Sequence, residues 1–239
     1  MEHRDRLWPG GYTFLYDDGL FRPSTDTFLL GSFPRLRRGM TVCELGAGTG
    51  LLSLLLLARE PELTVTGVDL QPQACALFRR TAEENGLQGR MHCLEGDLRQ
   101  GLLPPGRFRL AVANPPYFPP DAGAVAPDAA RRTARAETDC TLSQLCAAAA
   151  RALTWGGSFC LVHRPDRLAD VLEELRRVRL EPKRLRFVHH TAAAPPSLFL
   201  LEARLGGGVG LTVEPPLLLH GPDGGETEDV RRAYFRDKE

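Results

Sequence analysis

The sequence has no excess of charge, no metal-type spacing of cysteines and no long apolar run. Lys and Arg number 30 and Asp and Glu number 30, so the formal net charge at pH 7 is zero. A global electrostatic attraction to nucleic acid or to an anionic membrane is therefore excluded, and a polyanion must bind to a local patch. Six scattered cysteines include no Cys-x-x-Cys pair and no His at ligand spacing, which argues against bound zinc and a disulfide framework.

Segments that direct a chain into or across a membrane are also missing. Residues 1–6 carry mixed charge and lead into no apolar stretch of the signal-peptide kind. The longest apolar run, 51–58, is far shorter than the roughly 20 residues that a membrane-spanning helix needs. The sequence predicts a soluble, cytoplasmic protein with reduced thiols, no membrane partner and no metal ion. It leaves the oligomeric state undetermined, with a monomer slightly favoured.

From residue 41 onward, short β-rich runs alternate with longer helical runs, which predicts a mostly parallel sheet covered by helices on both faces. The pattern predicts helices from near residue 49, over 72–86, over 142–153 and over 166–178. Residues 1–38 form an extension with a short helix through 25–30, and 118–138 form a loop long enough to be functional. Strands are predicted at 41–46, 63–69, 90–95, 108–113, 157–163, 184–190 and 197–205.

The motif Asn114-Pro115-Pro116-Tyr117 follows the apolar run 110–113. Two prolines fix φ and remove two backbone donors, so the strand ends in a rigid loop that no helix continues. The Asn oxygen and a neighbouring carbonyl can accept from an NH₂ group, and the Tyr ring offers a flat face. The four residues are the predicted catalytic set for a planar amine or amide. A tight turn with an incidental Asn explains the motif alone equally well.

A glycine-rich turn follows the first predicted strand of the alternation. Its glycines let a ligand approach the backbone closely, although a plain strand-to-helix turn has the same pattern. Asp69 ends the next strand, 19 residues after Gly50. In a doubly wound fold, an acid at this position binds ribose hydroxyls. The turn residues predicted to bind a cofactor are Gly46, Ala47, Gly48, Thr49 and Gly50.

Acidic residues around this turn separate two classes of cofactor. Glu44 would repel a pyrophosphate but attract a cationic amino-acid tail. The third strand ends before Gly96-Asp97, where a carboxylate suits an adenine amine, and Leu70 lies beside the ribose acid. S-adenosylmethionine carries a sulfonium and an ammonium and no phosphate, so it fits this set of residues better than NAD.

With these motifs, the chain resembles the class I S-adenosylmethionine-dependent methyltransferases that methylate amines. The resemblance implies a Rossmann-like α/β fold: a seven-stranded, mostly parallel sheet with an antiparallel last strand and helices on both faces. It also implies that the glycine turn holds the methionine part, Asp69 the ribose, Asp97 the adenine and Asn114 the target nitrogen.

The flanking segments are similar to the bacterial tRNA (adenine-N(6))-methyltransferase family, which modifies adenine 37 of a valine tRNA. The resemblance implies an RNA substrate, an extension 1–38 that contributes to the site through Asp26, and a methyltransferase domain over 39–239 containing the 118–138 substrate loop. The similar segments are 21–31, 135–137, 161–165, 181–186, 215–220 and 227–230.

For an adenine substrate, the two amine protons would be accepted by the Asn114 carboxamide oxygen and the Pro115 carbonyl, which draws the nitrogen toward sp³ geometry. Tyr117 would stack on the base, and Phe118 either adds a second aromatic surface or packs in the core. Candidate phosphate-binding side chains are Arg131, Arg132 and Arg135, with further basic runs at 35–38, 176–179 and 183–186.

Other functions remain open from the sequence alone. A protein glutamine methyltransferase acting on release factors fits the same motif, although only about 40 residues precede the first strand of the alternation. Methylation of ribosomal RNA or DNA is a further alternative. A non-catalytic module that binds S-adenosylmethionine or RNA is a third class, which degenerate glycines or a lost Asn would indicate, and neither is found.

Overall fold

A computed structural model describes residues 1–20, 22–115 and 140–238. It contains a nine-stranded sheet with helices on both faces and a separate two-stranded hairpin. The strands are β1 (Glu2–Arg6), β2 (Thr13–Asp17), β3 (Thr41–Leu45), β4 (Thr64–Asp69), β5 (Met91–Glu95), β6 (Phe108–Ala113), β7 (Leu153–His163), β8 (Leu180–His189), β9 (Pro196–Leu205), β10 (Thr212–Val213) and β11 (Leu217–Leu218).

Among the described residues, six α-helices accompany the strands, and three short 3₁₀ turns lie at Leu98–Gln100, Pro165–Arg167 and Arg236–Lys238. None of the helices within the described ranges is long and apolar enough to cross a bilayer. The helices are α1 (Thr25–Ser32), α2 (Leu51–Arg59), α3 (Pro72–Glu84), α4 (Leu142–Ala152), α5 (Leu168–Arg177) and α6 (Glu228–Ala233).

The sheet confirms the predicted Rossmann-like α/β class. Its order is β10-β8-β9-β7-β6-β3-β4-β5, and β11 also pairs with β8. The seven predicted strands correspond to β3 through β9, and β9 runs antiparallel to both of its neighbours, as predicted. Beyond these seven, β10 and β11 add two-residue strands at the β8 edge.

Two strands begin about four residues earlier than predicted, and irregular pairing accounts for both. β7 includes Gly156, whose φ is 77°. Near this residue the register between β7 and β6 shifts, between Phe108 and Leu110 of β6. β8 includes Pro182, beside which the register with β9 shifts. Glycine and proline interrupt a regular ladder but are accommodated at bulges, so residues that predicted a break lie inside the strands.

The order of the strands creates a topological switch point, with a crevice between the carboxyl ends of β3 and β6. From β3 the chain forms β4 and β5 on one side, then returns to form β6 on the other side of β3. Connections leave β3 and β6 in opposite directions, so their carboxyl ends are not covered by one continuous layer. In doubly wound folds, ligands bind at this switch point.

Two apolar cores fill the faces of the sheet. One contains side chains of α1, α2, α3 and α6, and the other those of α4 and α5. Every residue of α2 except Arg59 is buried, which agrees with its leucine-rich sequence. Gly31 brings α1 close to α2, because an added Cβ would lie 3.0 Å from Leu55. The extension is thus packed into the domain.

The β1–β2 hairpin was not predicted, because the strand Glu2–Arg6 has no apolar alternation. The Asn85 side chain, near the end of α3, makes two hydrogen bonds to it. The Asn85 carboxamide oxygen accepts from the Thr13 amide at 2.8 Å, and its Nδ2 donates to the Thr13 carbonyl at 2.6 Å. Nδ2 also donates to the Thr81 carbonyl, while the Thr81 hydroxyl accepts from the amide of Leu15.

Replacing Asn85 by alanine removes both bonds to Thr13, and we expect it to lower the free energy of unfolding by about 1–3 kcal/mol. Urea denaturation measures this change, and hydrogen exchange at Thr13 and Leu15 should accelerate. Arg80→Ala is the control, since it removes only an exposed ion pair with Glu2 across the same contact. Equal effects of the two substitutions would contradict the role given to Asn85.

Candidate functional site

The glycine-rich turn leaves β3 with three residues in the left-handed region. The φ angles are 73° at Gly46, 52° at Gly48 and 85° at Gly50. A Cβ at Gly50 would lie 2.5 Å from Phe78 and 2.7 Å from Met91, so this position is closed by packing. A Cβ at Gly46 or Gly48 would meet no described atom within 4 Å. The outer side of the turn is therefore an open backbone surface that a ligand can approach.

The end of β4 holds this turn in place. The Val68 carbonyl accepts from the amides of Gly46 and Ala47, both at 2.9 Å. The Asp69 carboxylate accepts from the Gly48 amide at 2.7 Å through Oδ2 and from the Gln71 amide at 2.9 Å through Oδ1. Burial raises the pKa of Asp69, and the backbone amides partly oppose that rise. The predicted ribose acid is thus also a structural anchor of the turn.

Glu44, on β3, lies beneath the turn and is buried. Its carboxylate accepts from the amide and the hydroxyl of Ser53, in the first turn of α2. Burial raises the pKa of Glu44 to about 8, the Ser53 hydrogen bonds oppose the rise, and the charge of Asp69 adds to it. Two carboxyl groups therefore share a desolvated region under the glycine turn, which disfavours a second negative charge there.

Residues after β5 form the neighbouring wall. The Gly96 amide donates to the Asp69 carbonyl at 2.8 Å, which joins this wall to β4. Asp97 caps the following 3₁₀ turn by accepting from the Arg99 amide, and its carboxylate is paired with the Arg99 guanidinium at 2.5 Å. That hydrogen bonding lowers the pKa of Asp97. Leu70 is 45% exposed, an apolar surface beside Asp69.

Asn114 follows β6, so it lies at the carboxyl edge of the strand next to β3. Its Nδ2 donates to the hydroxyl of Thr27, on α1, at 2.9 Å. Sequence reasoning had selected Asp26, the half-buried neighbour of Thr27, and missed Thr27 itself. The two residues are separated by 87 positions in the chain, so no local sequence pattern predicts their contact.

A buried imidazole ends β7, beside β6. His163 Nδ1 accepts from the Arg164 amide at 2.8 Å, and its ring stacks with Phe199 at 6.2 Å between centroids. Burial, followed by the nearby charge of Arg167, lowers the pKa of His163 to about 4. The imidazole is therefore neutral at physiological pH. The sequence interpretation as a structural residue without a catalytic role agrees with these contacts.

Part of the predicted site falls outside the described residues. Asn114 and Pro115 are described, whereas the other two residues of the motif, the stacking candidates and the 118–138 loop are not. The predicted site residues outside the described ranges are Pro116, Tyr117, Phe118, Arg131, Arg132 and Arg135.

Three other basic runs differ in where they lie relative to Asn114. Residues 35–38 precede β3 and 176–179 precede β8, so both lie at the amino edge of the sheet, opposite Asn114. Within 183–186, Arg184 is buried and ion-paired with Glu202 at 3.3 Å and Glu214 at 3.4 Å. The use of these runs as phosphate contacts stays a prediction, because the order of charged residues in a sequence does not reveal which end of a strand a segment joins.

Curated relatives share the sequence over most of its length. The tRNA1(Val) (adenine(37)-N6)-methyltransferase of Yersinia enterocolitica is 31% identical over 182 residues, 73% of this chain and 71% of that protein. The protein of the same name from Yersinia pestis is 32% identical over 160 residues, 64% of each chain. The aligned region thus spans about two thirds of the relatives' length. The predicted resemblance is confirmed.

Solved structures and a family model agree on the fold. A predicted O-methyltransferase of Agrobacterium tumefaciens superposes with a TM-score of 0.72 at 21% identity, covering 87% of this chain and 96% of that one. The geranyl diphosphate C-methyltransferase of Streptomyces coelicolor superposes with a TM-score of 0.54 at 14% identity, covering 74% and 75%. The model of the methyltransferase small domain matches residues 23–181. Because this model matches more than half of the chain, the chain belongs to the methyltransferase small domain family.

Proposed function

We propose that this protein transfers a methyl group from S-adenosylmethionine to the exocyclic N6 amine of an adenine in the anticodon loop of a tRNA. The observation that carries the proposal is the position of Asn114 at the end of β6, next to the strand that leads into the glycine turn. An amine acceptor and a cofactor turn thus share one crevice. The names of the curated relatives support the choice of adenine 37 in a tRNA.

The residues present fit this cofactor. An open backbone surface at Gly46 and Gly48 admits a ligand without a clash. Glu44 and Asp69 surround the turn with carboxyl groups, which suit the ammonium and sulfonium of S-adenosylmethionine and oppose a pyrophosphate. Asp69 would receive the ribose hydroxyls, and the wall formed by Leu70, Gly96 and Asp97 would receive the adenine. When bound, the cofactor supplies a methyl group on a positively charged sulfur.

Asn114 and Pro115 would bind the amine that receives the methyl group. The two amine protons of an adenine would be accepted by the carboxamide oxygen of Asn114 and the carbonyl oxygen of Pro115. These bonds withdraw the nitrogen lone pair from the ring and strengthen as positive charge develops on the nitrogen, so they stabilise the transition state more than the ground state. Once the nitrogen carries an added methyl group, its surplus proton is acidic, and no strong general base is needed.

An anticodon loop offers an adenine that can leave its stack at low cost, because loop bases are already partly unstacked. Tyr117 would stack on the extruded base, and Arg131, Arg132 and Arg135 would contact phosphates. Asp26 would contribute from the extension 1–38, with 39–239 as the methyltransferase domain. Because the proposed substrate is a tRNA, we also propose that the protein is located in the cytoplasm. We propose that it acts as a monomer.

The proposal is tested by incubating the purified protein with methyl-labelled S-adenosylmethionine and either tRNA lacking its own methylation or an unmethylated release factor. We expect label in the tRNA, and digestion followed by mass spectrometry should identify N6-methyladenosine. Unmethylated ribosomal RNA is a third acceptor. Label in the release factor alone would replace the proposal with glutamine methylation, and a different nucleoside would replace the adenine.

Asn114→Ala should lower kcat by at least about 100-fold, because it removes one of two acceptors that act in the transition state. Cofactor affinity should fall much less, and equilibrium titration with S-adenosylmethionine measures it. Asn114→Asp is the matched control, since it keeps an acceptor oxygen and should retain more activity than the alanine variant. Undiminished turnover by the alanine variant would show that the amine is held elsewhere.

Glu44 predicts a pH dependence of cofactor binding. Its pKa in the ligand-free protein is raised to about 8, so the carboxyl group is mostly protonated at pH 7. A cationic ligand favours the ionised form, so binding lowers this pKa and releases a proton below pH 8. Affinity should therefore rise with pH up to about 8 and level off above it.

Calorimetry in buffers of different ionisation enthalpy counts the protons released. Glu44→Gln should abolish the release, and an unchanged release in that variant would assign the proton to another group.

A further inference from the structure

Thr27 is a buried hydroxyl group on α1 that faces the acceptor side of the crevice. It accepts from Asn114 Nδ2 at 2.9 Å, and its Oγ1 lies 3.3 Å from the hydroxyl of Ser24. A threonine hydroxyl has one proton to donate and two lone pairs to accept. If that proton is directed to Ser24, a lone pair of Thr27 is directed to the Asn114 amide.

The helix that carries Thr27 is held on two sides. Phe28 stacks on Tyr234 with 4.2 Å between ring centroids and 9° between planes, and the Tyr234 hydroxyl donates to the Thr25 hydroxyl at 3.0 Å. On the other side, the Arg59 guanidinium donates to the carbonyl oxygens of Gly31 and Pro34. The hydroxyl of Thr27 therefore occupies a fixed position relative to the sheet.

A carboxamide has nearly the same shape in its two flipped orientations, which exchange an acceptor for two donors. Only one of them allows Asn114 to accept a proton from an amine. The other would direct NH₂ toward an NH₂ group, which leaves both unsatisfied. A hydroxyl whose own proton is directed to another acceptor removes this ambiguity, because it can then only accept and is satisfied only when the amide nitrogen faces it. The carbonyl oxygen then lies on the opposite side of the carboxamide.

We propose that Thr27 is a positioning residue for methyl transfer, which holds the Asn114 carboxamide in the orientation that accepts from the target amine, with Ser24 taking the Thr27 proton. This inference rests on the proposed function of Asn114. It adds α1 to the machinery of the acceptor, where the sequence had assigned the extension a role through Asp26 alone. It also gives the C-terminal helix α6 an indirect role, since Tyr234 fixes α1.

The first test is kinetic and compares Thr27→Val with Thr27→Ser. Valine keeps the shape but removes the acceptor, so kcat should fall roughly tenfold, the equivalent of one hydrogen bond. The KM for tRNA and the affinity for S-adenosylmethionine should stay close to the wild-type values. Serine keeps the hydroxyl and should restore most of kcat. Thr154→Val is the matched control, because its buried hydroxyl has no hydrogen-bond partner among the described residues and lies at the far end of β7.

The second test observes the carboxamide directly and does not depend on the substrate. The chain contains two asparagines, Asn85 and Asn114, so selective ¹⁵N labelling of asparagine gives two side-chain NH₂ signals. In Thr27→Val, the Asn114 signals should move and exchange faster with water, while the Asn85 signals stay unchanged as an internal reference.

The two tests separate this inference from the proposed function. An active wild-type enzyme with a fully active Thr27→Val variant would overturn the positioning role, and so would Asn114 signals that do not respond to the substitution. Serine failing to restore kcat would indicate that packing, and not the hydroxyl, matters at this position, which also overturns it. A wild-type protein that transfers no methyl group to RNA overturns the proposed function, and the NMR comparison then still decides whether Thr27 orients Asn114.

Discussion

The hydrogen bond from the Gly48 amide to the Asp69 carboxylate is the contact on which the crevice depends. A glycine turn has no large side chains with which to hold its own shape, so its conformation must be imposed by backbone bonds from outside. The last two residues of β4 supply them, through the Val68 carbonyl and the Asp69 carboxylate. The Asp69 carbonyl also receives the Gly96 amide. The end of β4 therefore fixes the turns on both sides of it. The parallel pairing of β3 with β4 sets how far along the strand direction the ends of these two strands lie from each other.

The acceptor side is built differently, from segments that are far apart in the chain. Asn114 depends on α1 for its orientation, and α1 depends on Tyr234 near the C-terminal end, across a separation of 209 residues between Thr25 and Tyr234. The N-terminal and C-terminal segments also meet where Trp8 packs on Phe235 at 5.1 Å between centroids. Under the proposed function, the core domain supplies the cofactor side, while its flanks complete the acceptor side.

The sequence predicted the parts of this protein that local chemistry determines. A glycine turn after a buried strand, an acid at the next strand end and an Asn before prolines are each readable within a few residues. The sequence did not predict Thr27, the docking of the hairpin by Asn85 or the pairing of Asp97 with Arg99 as a cap. The first two are contacts whose partners are separated by 87 and 72 positions in the chain, so they follow from tertiary packing alone. The positions of the basic runs were not predicted for the same reason, since the edge that a charge occupies is a property of the topology.

Charge, and not the glycine pattern, explains why this crevice suits one class of cofactor. Glycine turns of this kind serve nucleotides with and without a pyrophosphate. Here Glu44 and Asp69 are both buried beside the turn, and burial raises the pKa of each. Ionising both in the empty site is unfavourable, because each carboxylate loses hydration and repels the other. A cation relieves both penalties at once, whereas an anion increases them. Under the proposed function, the same two groups therefore favour a sulfonium compound over a pyrophosphate, and the acids around the turn determine the cofactor preference.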